Sequence, residues 1–192
     1  MVPPARFSTP SAGTCVCSST PSRGSGAELV GAPIATPSRI KQPNSSRCFV
    51  CGVENEHGFA LSFYETAPDT VETTAVIPER YQGDPGVAHG GIVAALLDEV
   101  TLRAAVVGEP EHRMLTARLD VRFRSSVPVE TPLRVVGRLV ERRRRATRTR
   151  GEVLLPDGRT GAEALLMDHP DSGMSRARLA ELGWRVIPDG PA

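Results

Sequence analysis

The sequence has few aromatic residues and no long apolar run. Aromatic side chains make up 4% of the 192 residues, whereas hydrophobic residues make up 40%. The core must therefore be built mainly from Val, Leu, Ile and Ala. No apolar run approaches the roughly 20 residues that a membrane-spanning helix needs. The closest stretch, residues 92–107, contains Asp98, Glu99 and Arg103, so we expect no membrane span.

The sequence also lacks an excess of charge of one sign. Its formal net charge is +1, so the whole chain has no electrostatic preference for nucleic acid or an anionic membrane surface. No apolar segment follows the N-terminus, which disfavours a secretory signal. We therefore expect a cytoplasmic protein without a nucleic-acid partner.

Cysteine is scarce, with only Cys15, Cys17, Cys48 and Cys51 present. Two pairs can form the halves of a zinc centre, but the one-residue gap between Cys15 and Cys17 is tighter than the usual ligand spacing. A redox role for Cys48 and Cys51 is also weakly supported, because no βαβ pattern surrounds them. We favour reduced structural thiols and predict no metal site.

Residues 1–46 differ in composition from the rest of the chain. Ser, Pro and Gly occupy 20 of these 46 positions, and apolar residues there show no period, which predicts a disordered tail. A plain flexible tail, a transit peptide and a start codon assigned too early all remain open. We place the folded domain at 47–170 and a C-terminal extension, with a short helix near 176–182, at 171–192.

The pattern of the folded region is strand, strand, long helix and then four strands in a meander. The predicted strands are 60–64, 71–78, 115–123, 133–140, 147–155 and 161–167, and the predicted helix is 90–107. This helix is apolar nearly all round, so other elements must enclose it. The sequence therefore predicts an α+β fold in which one antiparallel sheet wraps around a central helix.

Two adjacent acids interrupt the apolar helix. Glu99 precedes Arg103 by four residues, an order that favours an ion pair on a helix surface. Asp98 has only small or apolar neighbours and a threonine three and four positions away. Burying a carboxylate among such residues is costly unless another group uses it. The alternatives are an exposed stripe or a partner on a strand, such as Arg118 or Arg122.

A His89-Gly90-Gly91 turn opens the same helix. Glycine allows a ligand to approach the backbone closely, and the free N–H groups of a helix N-terminus carry partial positive charge. Such a turn suits an oxyanion hole for acyl transfer. His89 orients this turn or polarises a carbonyl, and the alternative is a loop histidine that only hydrogen-bonds backbone.

The spacing of these residues limits the mechanism. Asp98 follows His89 by nine residues, or roughly 13 Å along a helix axis. A general base must come within about 3 Å of the proton that it removes, directly or through one water. One chain therefore cannot bring Asp98 and its own Gly90 amide to one carbon. The spacing predicts a dimer in which antiparallel helices share two sites.

Three segments carry a resemblance to a known family: CFVCGVENEHGFALSF, YQGDPGVAHGGIVAALLDEV and LDVRFRSSVPVETPLRVVGRL. Together they resemble the PaaI-type hotdog-fold acyl-CoA thioesterases, which include 4-hydroxybenzoyl-CoA thioesterase-like proteins, over residues 48–169. The resemblance implies the hotdog fold, a homodimer or a dimer of two such dimers, and hydrolysis of acyl-CoA thioesters. It also implies no separate cofactor, since coenzyme A is part of the substrate.

The resemblance also implies roles for individual residues. The Gly90 amide would polarise the thioester carbonyl, with His89 and Gly91 shaping the turn. Asp98 of the partner subunit would act as general base on water or as nucleophile. Thr116 aligns with a Ser or Thr that helps to place the water in some relatives.

Further residues are candidates for substrate binding. Some relatives carry an Asn six residues before the His, where this sequence has Gly83, and Gln82 is the adjacent candidate to replace it. The run ERRRRATRTR holds six arginines in ten residues. Arginine suits phosphate binding, so we assign Arg142 and Arg144 of this run to the phosphates of coenzyme A, and we add Arg124, outside the run, to the substrate-binding residues. A charged hairpin that prevents strand-edge aggregation explains the run equally well.

Two other functions fit a hotdog fold. A hydratase or dehydratase would pair a histidine with the helix acid, but the sequence places no histidine opposite Asp98. A non-catalytic acyl-CoA binder would not need the intact set of His89, Gly90 and Asp98. We therefore expect a hydrolase.

Overall fold

The computed structural model describes residues 39–109, 114–143, 146–169 and 175–189. A single turn of 3-10 helix spans Glu79–Tyr81. The strands are β1 (Ile40–Lys41), β2 (Tyr64–Ala67), β3 (Thr70–Val76), β4 (Gln82–Asp84), β5 (Val87–Ala88), β6 (Leu115–Phe123), β7 (Pro132–Arg143), β8 (Ala146–Leu154) and β9 (Thr160–His169), and the helices are α1 (Gly90–Ala105) and α2 (Arg176–Glu181).

Seven strands form one antiparallel sheet in the order β1-β2-β3-β7-β8-β9-β6, and β4 and β5 form a separate hairpin. The predicted meander holds for β7, β8 and β9 but is wrong for β6, which pairs with β9 rather than β7. The reason lies in the segment between β6 and β7. It runs to β5, where the Ala88 N–H donates to the Val127 carbonyl (2.8 Å), instead of turning tightly into a hairpin.

Helix α1 packs closely against the sheet. A Cβ added to Gly137 on β7 would lie 2.3 Å from the Val100 carbonyl oxygen, and one added to Gly151 on β8 would lie 2.7 Å from Thr101 Cγ2. The backbones approach this closely only because both strand positions are glycine. The apolar residues that α1 buries are Val93, Leu96, Leu97, Val100, Ala104 and Ala105. The α+β hotdog arrangement, a sheet around one central helix, is confirmed.

The folded unit begins before residue 47. The side chains of Gln42 and Asn44 are each 1% exposed, and Asn44 exchanges two backbone hydrogen bonds with Arg185 (2.8 and 2.9 Å). The predicted tail boundary is therefore wrong for residues 39–46. Hydrogen bonds, and not a periodic set of apolar side chains, hold this segment in place, so its composition did not indicate that it is folded. The rest of the predicted tail, 1–38, lies outside the described residues.

The first predicted hairpin is shifted along the chain. β2 begins at Tyr64 rather than at Ala60, whose φ of 50° is incompatible with a strand. The Leu61 N–H instead donates to the Val50 carbonyl (2.9 Å), which holds this stretch against the preceding loop. At the other end of the chain, α2 lies within the expected stretch 176–182.

Over the described ranges, no helix combines the length and the apolar character that crossing a bilayer requires.

Candidate functional site

His89 caps the N-terminus of α1. Its backbone is extended (φ −61°, ψ 134°), and its Nδ1 accepts a hydrogen bond from the Gly91 N–H (3.0 Å). The His89 N–H donates to the Tyr81 carbonyl (2.9 Å), which fixes the turn from the preceding loop. An accepting Nδ1 carries no proton. His89 therefore occupies the Gly91 amide and holds the turn in place.

The Gly90 amide differs from the Gly91 amide, whose N–H is bonded to His89 Nδ1. Among the described residues no acceptor bonds the Gly90 N–H, and the position lies at the positive end of the helix dipole. A Cβ added to Gly90 would lie 3.3 Å from Phe123 Cζ. Gly90 and Phe123 line a groove of about 340 Å³ together with Val93 and Val127. A donor without an acceptor among the described residues therefore borders a groove with both apolar and polar walls.

Asp98 is half-buried in the middle of α1 and contacts β6. The Thr116 hydroxyl donates a hydrogen bond to Asp98 Oδ1 (2.6 Å). Burial raises the pKa of the Asp98 carboxyl, the Thr116 hydrogen bond opposes this rise, and the charge of Glu99 adds to it. Arg118, one alternative strand partner, pairs with Asp120 instead (3.0 Å). The carboxylate thus has a neutral partner that orients it.

Asp98 and Gly90 of one chain are distant from each other. They are eight residues apart on one helix, which corresponds to about 12 Å along its axis. A single chain therefore carries both groups of the expected site, but they are too far apart to act on one substrate carbon.

The expected pair of Glu99 and Arg103 is present but not on the surface. Arg103 Nε donates to Glu99 Oε1 (2.9 Å), and the two residues are 2% and 8% exposed. The guanidinium lies between the rings of Phe63 and Trp184, 4.8 and 4.6 Å from their centroids. Its Nη1 also donates to the Pro43 carbonyl (2.5 Å). Segments from both ends of the folded unit cover this face, which the helix pattern alone does not reveal.

Gln82, the candidate to replace the missing Asn, bonds within its own hairpin. Its Oε1 accepts from the Gly86 N–H (3.1 Å), so the side chain turns into the β4-β5 hairpin. Gly83 itself adjoins the helix cap, since an added Cβ would lie 3.3 Å from His89 Cα. A side chain at residue 83 would therefore lie against His89, whereas Gln82 is already used by the hairpin.

Of the two predicted substrate-binding arginines that the structure describes, Arg124 is the one that lies beside Gly90. It borders the same groove, and its Nε donates to Glu163 Oε1 (3.1 Å). This hydrogen bond keeps the pKa of the Glu163 carboxyl below its usual value. The guanidinium therefore stands at the groove but already has an anionic partner.

Arg142 lies at the other end of α1. It donates to Glu109 Oε1 (2.9 Å) and to the Ala105 carbonyl (3.0 Å), where a cation stabilises a helix C-terminus. The structure therefore does not bring Arg142 to the Gly90 groove of its own chain. Arg144 lies outside the described residues.

A second cluster was missed because its members are distant in sequence. The ligand atoms of Cys48, Cys51 and Glu99 all lie within 4.8 Å of one another, and both thiols are free. The hydrogen bond between the thiols raises the pKa of Cys48 and lowers that of Cys51 to about 7. The Cys-x-x-Cys spacing was the visible signal, while the buried position of Glu99 was not readable from sequence.

Known proteins with a similar sequence or fold include members of the thioesterase superfamily. The thioesterase superfamily model matches residues 85–162, and no curated protein matches the sequence. A solved thioesterase superfamily protein is 28% identical with a TM-score of 0.59, over 64% of this chain and 59% of its own length.

Two further solved structures are alike in fold. A Streptococcus mutans UA159 protein, solved bound to acetyl CoA, is 18% identical with a TM-score of 0.51, over 56% of this chain and 85% of its own. Zebrafish thioesterase superfamily member 2 is 15% identical with a TM-score of 0.53, over 57% of this chain and 80% of its own.

Proposed function

We propose that this chain, which has the hotdog fold and matches the thioesterase superfamily model over residues 85–162, hydrolyses acyl-CoA thioesters to a free acid and coenzyme A. One observation carries the proposal. The Gly90 N–H, uncapped among the described residues, stands at the start of α1 beside an open groove. A preorganised donor of this kind stabilises the oxyanion that develops when a thioester carbonyl is attacked.

Asp98 supplies the other half of the chemistry. As general base it takes a proton from water while the water oxygen attacks the thioester carbon. The C–S bond then breaks, and the coenzyme A thiolate leaves and takes up a proton. Asp98 acting as nucleophile is the alternative, and both routes need an ionised carboxylate that is held in place. The 2.6 Å hydrogen bond from Thr116 supports that requirement.

A homodimer completes the site. β6 is the last strand of the sheet and has no partner on its outer side within the described ranges. Its terminal residues Leu115 and Phe123 are 52% and 56% exposed, and an unpaired apolar edge strand is a template for association. Two β6 strands pairing about a two-fold axis would set the α1 helices antiparallel. Asp98 of one protomer would then approach Gly90 of the other.

Coenzyme A enters this site as part of the substrate, and no separate cofactor is needed. Arg124 borders the Gly90 groove, and a guanidinium binds phosphate oxygens in pairs. Arg124 is therefore our candidate for contact with the coenzyme A phosphates, in exchange for its bond to Glu163.

The proposal is tested by thiol release from short-chain, long-chain and aryl acyl-CoAs. Asp98→Asn should lower kcat/KM about 100-fold or more on any substrate that is hydrolysed, because the general base is lost. Asp157→Asn is the matched control, since Asp157 is an exposed aspartate in the β8–β9 turn paired with Arg159 (2.7 Å).

Full activity in Asp98→Asn would contradict the site assignment. Tight binding of acyl-CoAs without hydrolysis of any of them would contradict the proposed hydrolase activity.

A further inference from the structure

Two cysteines and a buried glutamate meet on the side of α1 that the loop 45–52 covers. Cys51 is 0% exposed and Glu99 8%, and Cys48 is half-buried. Their sulfur and carboxylate ligand atoms lie within 4.8 Å of one another. Thiolate and carboxylate are ligands of Zn²⁺, and two residues between the cysteines is a usual ligand spacing.

The backbone around Cys48 fixes the position of its sulfur. The N–H groups of Val50 and Cys51 donate to Cys48 Sγ (3.3 and 3.5 Å), an arrangement that orients the sulfur toward Glu99 and Cys51. The Gly52 N–H donates to the Cys48 carbonyl (2.9 Å). A Cβ on Gly52 would lie 2.3 Å from that carbonyl oxygen, so the tight turn requires glycine there.

The two oxygens of Glu99 have different neighbours. Oε1 accepts from Arg103 Nε (2.9 Å), whereas Oε2 accepts from the Cys48 thiol (3.5 Å). A carboxylate that ligates a metal through one oxygen usually has a hydrogen bond on the rest of the group, which fixes its orientation. Arg103 therefore stands where an outer partner of such a ligand is expected.

The charges of this cluster also favour a dication. When a metal ion displaces the thiol protons, two thiolates and one carboxylate carry three negative charges, and Arg103 supplies one positive charge beside them. A divalent cation would make the buried set neutral, whereas buried charges that stay uncompensated are costly.

We propose that Cys48, Cys51 and Glu99 bind a divalent cation that prefers thiolate ligands, with Zn²⁺ as the test ion. Water takes the fourth position of a tetrahedral ion. It reaches Cys48 through a cavity of about 500 Å³, whose lining includes Ser45, Glu54 and Glu181. The ion joins the loop 45–52 to α1 at Glu99, the residue after Asp98. This proposal replaces the prediction that the chain has no metal site.

Zinc content of the untagged full-length protein tests the site. Purified wild-type protein should contain one zinc ion per chain, measured by elemental mass spectrometry. Cobalt substitution should give a thiolate-to-cobalt charge-transfer absorption band. Cys51→Ser should remove both signals, and Glu99→Gln should weaken zinc affinity about tenfold or more in competition with a chelator. The double variant Cys15→Ser/Cys17→Ser is the matched control and should keep the metal.

Several outcomes would overturn the proposal. Metal-free wild type that takes up neither zinc nor cobalt under reducing conditions would do so, as would a Cys48–Cys51 disulfide in place of bound metal. Loss of zinc in the Cys15→Ser/Cys17→Ser variant would assign the ion to other ligands. If Cys51→Ser does not fold, zinc titration of chelator-treated wild type and of Glu99→Gln decides the question. These readouts are independent of thioester hydrolysis, so the two proposals can fail separately.

Discussion

The Thr116 hydroxyl joins β6 to the middle of α1 through the Asp98 carboxylate. At this single residue we expect Thr116→Val to lower kcat about tenfold to a hundredfold, because a hydrogen bond to a charged group is worth roughly 1.5–3 kcal/mol. KM should change little, since the hydroxyl orients a reacting group rather than the acyl chain. Steady-state kinetics with the best substrate would measure both.

Thr116→Ser is the matched control for this prediction, because it keeps the hydroxyl and removes only a methyl group. It should retain most of the activity. Equal loss in Thr116→Ser and Thr116→Val would attribute the effect to packing rather than to the hydrogen bond.

Single residues of the candidate site were predictable to different degrees. Gly90 and Asp98 stand out in the sequence because a free amide and an unpaired acid follow from helix geometry alone. The bond of Gln82 to Gly86 was not predictable, since it depends on the turn of the β4-β5 hairpin, and its assignment to substrate binding stays a prediction. The contact of Phe123 with Gly90 was also not predictable, because it joins the end of β6 to a helix that begins 33 residues earlier.

At the scale of elements, the contact of α1 with β7 and β8 depends on two glycines. Gly137→Ala places its Cβ 2.3 Å from a backbone carbonyl, which cannot move without shifting the helix. Gly151→Ala meets the Thr101 methyl group at 2.7 Å, and a side chain can yield. We expect losses in unfolding free energy of about 3 kcal/mol for Gly137→Ala and about 1 kcal/mol for Gly151→Ala.

Urea denaturation of the two variants measures this difference, each serving as the control for the other. The same loss at both positions, or a larger loss at Gly151, would contradict close backbone packing at β7.

Among the elements, the local sequence pattern predicted where a strand begins and ends better than it predicted which strand it pairs with. β6 spans Leu115–Phe123 as its alternation predicted, because that alternation belongs to the strand itself. Its pairing with β9 depends on the path of residues 124–131, which no period encodes. Residues 39–46 were assigned to the tail for a related reason: their partners are Arg185 and other residues distant in sequence.

For the whole molecule, the distance between Gly90 and Asp98 makes shared sites testable by complementation. Gly90→Pro removes the candidate donor and keeps the helix start, because proline suits the first position of a helix and His89 already has the extended backbone that precedes proline. Its ring also meets Phe123, whose Cζ lies 3.3 Å from a Cβ at this position. Neither Gly90→Pro nor Asp98→Asn alone should be active. Co-expression of the two should restore about a quarter of wild-type activity, since half of randomly paired dimers are mixed and each mixed dimer has one intact site.

Co-expression of each variant with itself is the control and should stay inactive. No recovery in mixed dimers, confirmed as mixed by mass spectrometry, would place both groups in one chain and contradict the shared site.

The position of Trp184 also gives the protein an internal optical reporter. It is the only tryptophan of the chain, and its ring lies 4.6 Å from the Arg103 guanidinium that pairs with Glu99. All tryptophan fluorescence therefore originates from one indole, two contacts away from the cysteine cluster. Emission should change when the segment after α2 detaches from α1, and it offers a label-free signal for events at Glu99.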